Sequence, residues 1–154
     1  LLYIIKNSLL DFKYNFDLIP LNHQENIIYY IFEMASGEGL YLFKTEKDYY
    51  MFLEKIEIFP EMIYSIIEKF KKGIQANFVL TKLMCSKLIE QHNELIKSKS
   101  YLNKKLKYKL DYDFNKLVGE ILIPSLKKLN KFLKDEYFKN CNSARLFFLQ
   151  LSSK

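Results

Sequence analysis

Val118, Leu122, Leu126, Leu129, Leu133 and Tyr137 follow one another at spacings of 4, 4, 3, 4 and 4. Only a helix collects such a series on one face, because a strand needs alternation at every second residue. A stripe this long demands an apolar surface of similar length to pack against. The rest of the chain can supply it: 154 residues with 49% hydrophobic and 27% charged side chains are globular in balance and one domain long. Four glycines and three prolines are too few for an all-β fold, which turns roughly every 8–12 residues. The reading is all-α: a single helical domain over 1–154, an antiparallel bundle or array of about six helices.

The individual helices have visible starts and stops. Leu1, Ile4, Ile5, Leu9 and Phe12 have helical spacing up to about residue 16. Pro20 interrupts, and Asn22 is a plausible N-cap for a second helix running to about Ser36, with Ile27, Tyr30, Ile31 and Met34 on its inner face. Gly37 and Gly39 would end it. Thr45 and Asp48 form a capping-box variant before a third helix, lined by Tyr49, Phe52, Leu53 and Ile56. Pro60 opens a fourth, with Ile63, Ile66, Ile67 and Phe70 inward and Gly73 as its C-terminal cap. A fifth runs from about Thr81 to Lys97, with Met84, Leu88, His92 and Leu95 on one face. The long stripe belongs to a final segment, about Asp111 to Asn140, in which Pro124 should produce a kink or a break.

Chemistry is sparse. The two histidines, His23 and His92, sit in "HQE" and "HNE", neither of which is the His-Glu-x-x-His pattern that holds zinc on one helix face. Cys85 and Cys141 are far apart, with no Cys-x-x-Cys; a disulfide is compatible with them, but two free buried thiols fit better. There is no Gly-x-Ser-x-Gly, no Ser-x-x-Lys and no phosphate loop, so no catalytic site is visible. No apolar run approaches the length of a membrane span, and "LLYIIKNSLL" lacks the small-residue cleavage site of a signal peptide.

Charge is uneven. Residues 1–96 hold 13 acidic and 10 basic side chains, and residues 97–154 hold 5 acidic and 14 basic ones, within a total of +6. Six lysines lie between Lys97 and Lys109, beside Tyr101 and Tyr108. Lysine-tyrosine mixtures can track nucleic acid or anionic lipid, yet with Arg145 as the single arginine a solvated basic connector is the stronger reading.

Four stretches, taken in order, resemble a known family. "PLNHQ" (20–24) is similar to a Pro-Leu/Ile-Asn-Gln element. "LFKTEKDYYMFLEKIEIFPEMIYSIIEKFKKGI" is similar to a succession of Phe-x-Thr, Asp-Tyr, Tyr-Leu-x-Arg-Leu, Phe-Pro and Gly-Ile. "ILIPSLKKLNKFLKDEYFKNC", through Pro124, Leu129, Phe132, Leu133, Glu136 and Tyr137, resembles a Val-x-Pro-x-Tyr-x-x-Leu-x-x-Phe-Leu-x-x-Glu-Tyr segment, and "LQLSSK" resembles the Gly-Leu-Ser-x-Leu-Pro after it. These belong to the bacterial family catalogued as domain of unknown function 885, long helical proteins regarded as zinc metallopeptidases. The family tends to have Gly where this chain has Asn77, and its metal motif, a His-Glu followed shortly by Pro-Gly-His, lies downstream of the matched region.

The resemblance implies a non-catalytic N-terminal helical part of a peptidase-like protein, helping to form a peptide-binding cleft. It implies no cofactor in this chain, with zinc expected only downstream of Lys154. Partners would be the remainder of the same polypeptide, a protein partner or a peptide substrate, with nucleic acid and membrane behind them. The residues expected to touch a peptide are Asn22, His23 and Gln24, since polar groups at a helix start can hold a carboxylate or a backbone. The rival reading is a stand-alone helical interaction module, for which 13 Phe and 12 Tyr are more aromatic surface than a small core needs.

Overall fold

A computed structural model of the chain describes residues 16–36, 45–98 and 111–143. After a short 3-10 turn, Phe16–Leu18, come α1 (Ile27–Ser36), α2 (Glu46–Glu57), α3 (Phe59–Gln75) and α4 (Lys82–Lys97). The last helix, α5, is continuous but changes winding. It runs through Asp111–Leu117, a π-helical turn Val118–Leu122, Ile123–Phe132, a second π turn Leu133–Tyr137, and Phe138–Asn140. The fold is an all-α array, as the spacing of apolar residues predicts. The expected helix before residue 16 and the basic connector beyond Ser98 lie outside the described residues, as do Gly37 and Gly39.

α5 is the organising element, packing against α2, α3 and α4. All six residues of its apolar stripe are fully buried. Phe114 stacks on Phe52 of α2 with ring centroids 6.1 Å apart, and Tyr137 meets Phe70 of α3 at 4.5 Å. α2 and α3 bury the expected residues, Tyr49, Phe52, Leu53 and Ile56 on one and Ile63, Ile66, Ile67 and Phe70 on the other. Truncating one fully buried leucine of this stripe, such as Leu126→Ala, would cost about 2–5 kcal/mol through lost transfer energy and the cavity left behind.

Three local expectations need correction. The first is Gly73, which does not cap α3: the helix continues to Gln75, and Asn77, with φ of 54°, takes the left-handed position beyond its end. Gly73 is glycine for space. A Cβ there would stand 2.7 Å from the Phe78 carbonyl oxygen and 3.0 Å from that of Leu18. The second is Pro124, which does not split the final helix. It follows a π turn in which the Ile123 N–H reaches back five residues to the Val118 carbonyl, so the widened turn absorbs the irregularity.

The third is the start of α1, which lies four residues after the position an Asn22 cap implies. The cap is Asn26: its Oδ1 accepts the Ile28 N–H at 3.1 Å. With that start the inner face becomes Ile28, Phe32 and Ala35, while Ile27 and Tyr30 are 50% and 54% exposed.

The segment just after α5 is latched to the start of α4. Thr81 and Asn142 form a parallel bridge, with Lys82 N–H donating to the Asn142 carbonyl and Asn142 N–H to the Leu80 carbonyl. The Leu80 N–H donates to the Tyr137 hydroxyl at 2.9 Å. Cys85 and Cys141 are both buried and both free.

Candidate ligand-binding site

The turn between Leu21 and α1 is built by two asparagines. Leu21 is buried and anchors it. Asn22 Oδ1 accepts from the N–H groups of Gln24 and Glu25, at 2.8 and 2.9 Å, an arrangement in which a short side chain replaces a backbone acceptor. Asn26 then caps α1, and its carbonyl accepts the Tyr29 N–H. Two amide side chains thus satisfy three backbone donors of this turn.

α4 supports the turn from below. Gln91 donates from Nε2 to the His23 carbonyl at 2.8 Å and accepts from Asn26 Nδ2 at 3.5 Å. Asn26 Nδ2 also lies 3.4 Å from His92 Nε2. The pairing orients the ring. Asn26 Oδ1 is committed to a backbone N–H, so its amide nitrogen must face His92, and a nitrogen that meets an N–H donor must be the acceptor. Neutral His92 therefore carries its proton on Nδ1.

The same logic extends to α5. Asn93 Oδ1 accepts from Asn130 Nδ2 at 2.8 Å and from the Lys134 ammonium at 3.1 Å. Asn130 Oδ1 is thereby left to face the other way. Neither it nor His92 Nδ1 has a partner within hydrogen-bonding geometry. Burial pushes the His92 pKa down to about 4, and the nearby Asn130 side chain opposes that fall. Lys134, exposed at one end, Asn93, Asn130, His92 and Asn26 form a polar seam along α4.

Above the seam is a half-open pocket of about 220 Å³, lined by His23, Gln24, Asn26, Tyr29, Tyr30 and Gln91. Tyr29 and Tyr30 meet edge to face, with centroids 6.3 Å apart, and each is about half exposed, at 49% and 54%. His23 Nδ1 is buried with no hydrogen-bond partner. The lining mixes amide donors and acceptors with aromatic faces and contains no Lys, Arg, Asp or Glu. The hollow is smaller than the roughly 300–1,000 Å³ of ordinary small-molecule sites.

Of the three residues singled out in the sequence, His23 and Gln24 line this pocket, and Asn22 holds the turn that presents them. Asn26, Tyr29, Tyr30 and Gln91 escape a sequence reading. Gln91 is 68 residues from the His23 carbonyl it binds, and Tyr30 belongs to a run, "IIYYIF", that is apolar on every side.

Among the described residues no group of three or more His, Cys, Asp or Glu side chains could hold a metal ion, and His92 Nε2 faces the Asn26 amide. No helix among them is long and apolar enough to cross a membrane. In comparisons with known proteins, the chain matches no family model, no curated protein and no solved structure.

Proposed function

We propose that the chain is a non-catalytic helical domain that holds a peptide segment in the pocket at the start of α1, as the N-terminal part of a zinc-peptidase-like protein would. The observation that carries the reading is the pocket itself: two half-exposed tyrosines beside Gln24, Asn26 and Gln91, over a floor braced from α4. Tyrosine offers broad contact area at low entropic cost, and amides match the alternating donors and acceptors of a peptide backbone. The link to the peptidase-like family rests on the order of its motifs. Asn77 departs from the glycine the family tends to have there, and it takes the left-handed conformation that asparagine tolerates better than other non-glycine residues.

A random heptapeptide library displayed on phage tests the binding. Enrichment on the native chain, lost on a folded Tyr29→Ala/Tyr30→Ala variant, is the expected result. Equal recovery on both proteins would remove the pocket from the proposal. The family reading has its own check: the gene product in its source cells should be heavier than this chain, and zinc and peptidase activity should map beyond Lys154.

A further inference from the structure

Resting on that reading, we infer that the pocket takes an uncharged amide, the interior of an extended peptide, and does not take a terminal carboxylate. Three observations carry this.

The first is the fate of the turn's backbone donors. A helix start attracts carboxylates because its N–H groups are unpaired and its dipole is positive there. In this turn the N–H groups of Gln24 and Glu25 donate to Asn22 Oδ1, that of Ile28 to Asn26 Oδ1 and that of Tyr29 to the Asn26 carbonyl. Four of the donors near the helix start are thus occupied by neighbouring asparagines, which leaves fewer for an anion.

The second is charge. No Lys or Arg lines the pocket, and Glu25, exposed in the same turn, has the wrong sign for a carboxylate ligand. A carboxylate entering here would lose hydration with no cation in the lining to replace it, and that loss is steep. An amide exchanges water for partners of its own kind at much lower cost.

The third is complementarity. Asn26 is spent on Ile28, Gln91 and His92, so the lining offers the Gln24 amide, what remains of Gln91 and the two phenols, groups able to donate and accept at once, together with aromatic faces for a neighbouring side chain. A peptide interior presents N–H, C=O and a side chain in that same combination. Backbone amide and Gln or Asn side-chain amide share the chemistry, so the test separates them.

The experiment is an NMR titration of the ¹⁵N-labelled chain with three probes: acetyl-Ala-Leu-Ala-amide, acetyl-Ala-Gln-Ala-amide, and acetyl-Ala-Leu-Ala with a free carboxylate. The resonances followed are the backbone amides of Tyr29 and Tyr30 and the side-chain amide of Gln91. The expected result is that the amidated leucine peptide binds at least as tightly as its free acid, with no dependence on salt. A preference of about tenfold for the glutamine peptide would assign the site to a side-chain amide and keep the inference. A preference of about tenfold for the free acid, weakening with salt, would overturn it while leaving peptide binding intact. If no probe moves those resonances at millimolar concentration, the peptide-binding reading itself fails, and this inference with it.

Discussion

Asn26 Nδ2 lies 3.4 Å from His92 Nε2, joining the first turn of α1 to the body of α4 across 66 positions of sequence. One side chain thus caps a helix, lines the pocket and supplies a hydrogen bond to a fully buried imidazole. The site therefore shares its foundations with the core.

The pH dependence of folding should report His92. Its folded pKa is lowered by burial to about 4, below the unfolded value near 6.5, so the neutral ring stabilises the fold. That contribution is complete above about pH 6.5 and is lost as pH falls towards 4. It amounts to no more than about 3–4 kcal/mol, the free energy of moving the ring's pKa from 6.5 to about 4. Urea unfolding of the native chain and of His92→Gln at pH 7 and pH 4.5 should show a markedly smaller loss in the variant. Equal losses would mean that the carboxylates alone set the acid sensitivity.

Asn26→Ala removes two interactions at once. Loss of the cap should cost about 1 kcal/mol, and leaving His92 Nε2 without a donor in a buried site a further 1–3 kcal/mol or so. Asn26→Ser keeps a capping oxygen but not the amide, so it should recover about the first of these amounts. Chemical denaturation of the native chain and the two variants separates the roles: identical stabilities of the two variants would show that the cap contributes nothing, and a serine variant as stable as the native chain would show the same of the bond to the ring.

Two glycines should respond oppositely to alanine. At Gly73 the new methyl would press on the carbonyl oxygens of Phe78 and Leu18, which are backbone and cannot swing aside, so the substitution should destabilise by at least about 1–3 kcal/mol. At Gly119, exposed on α5, nothing lies within 4 Å, and alanine should stabilise by up to about 1 kcal/mol through its helix preference. Thermal melts of the pair decide it. A gain at position 73 would contradict the close approach of these two carbonyls.

The thiols should be cryptic. Hydrogen bonding to Cys141, with burial added, pushes the Cys85 thiol well above its ordinary value, and both sulfurs are shielded. A thiol-reactive disulfide reagent should label neither in the native state within minutes and both rapidly in denaturant. Fast native labelling of one equivalent would mean that the Thr81–Asn142 latch opens readily.

Much of the helical framework was legible because its signals are local. Thr45 and Asp48 cap α2 reciprocally, as their spacing indicates, and Thr81 Oγ1 accepts the Met84 N–H at the start of α4. The α5 stripe is buried throughout because its period leaves one face and no alternative. α1 is the counterexample. In "IIYYIF" two overlapping stripes have helical spacing, and periodicity cannot choose between them. Contact with the core chose Ile28, Phe32 and Ala35, which turned Ile27 and Tyr30 outward.

The sequence by itself thus determined the class of fold, most helix starts and which faces of α2, α3, α4 and α5 turn inward. All of these depend on groups within a few residues of one another. Tertiary structure alone decided the rest. It placed Gln91 under His23, Asn26 against His92 and Asn142 beside Thr81, and it explains Gly73 by carbonyls that approach it from outside its helix. Hydrogen bonds and close packing between distant segments leave no periodic trace in the chain, and the pocket is made of such contacts.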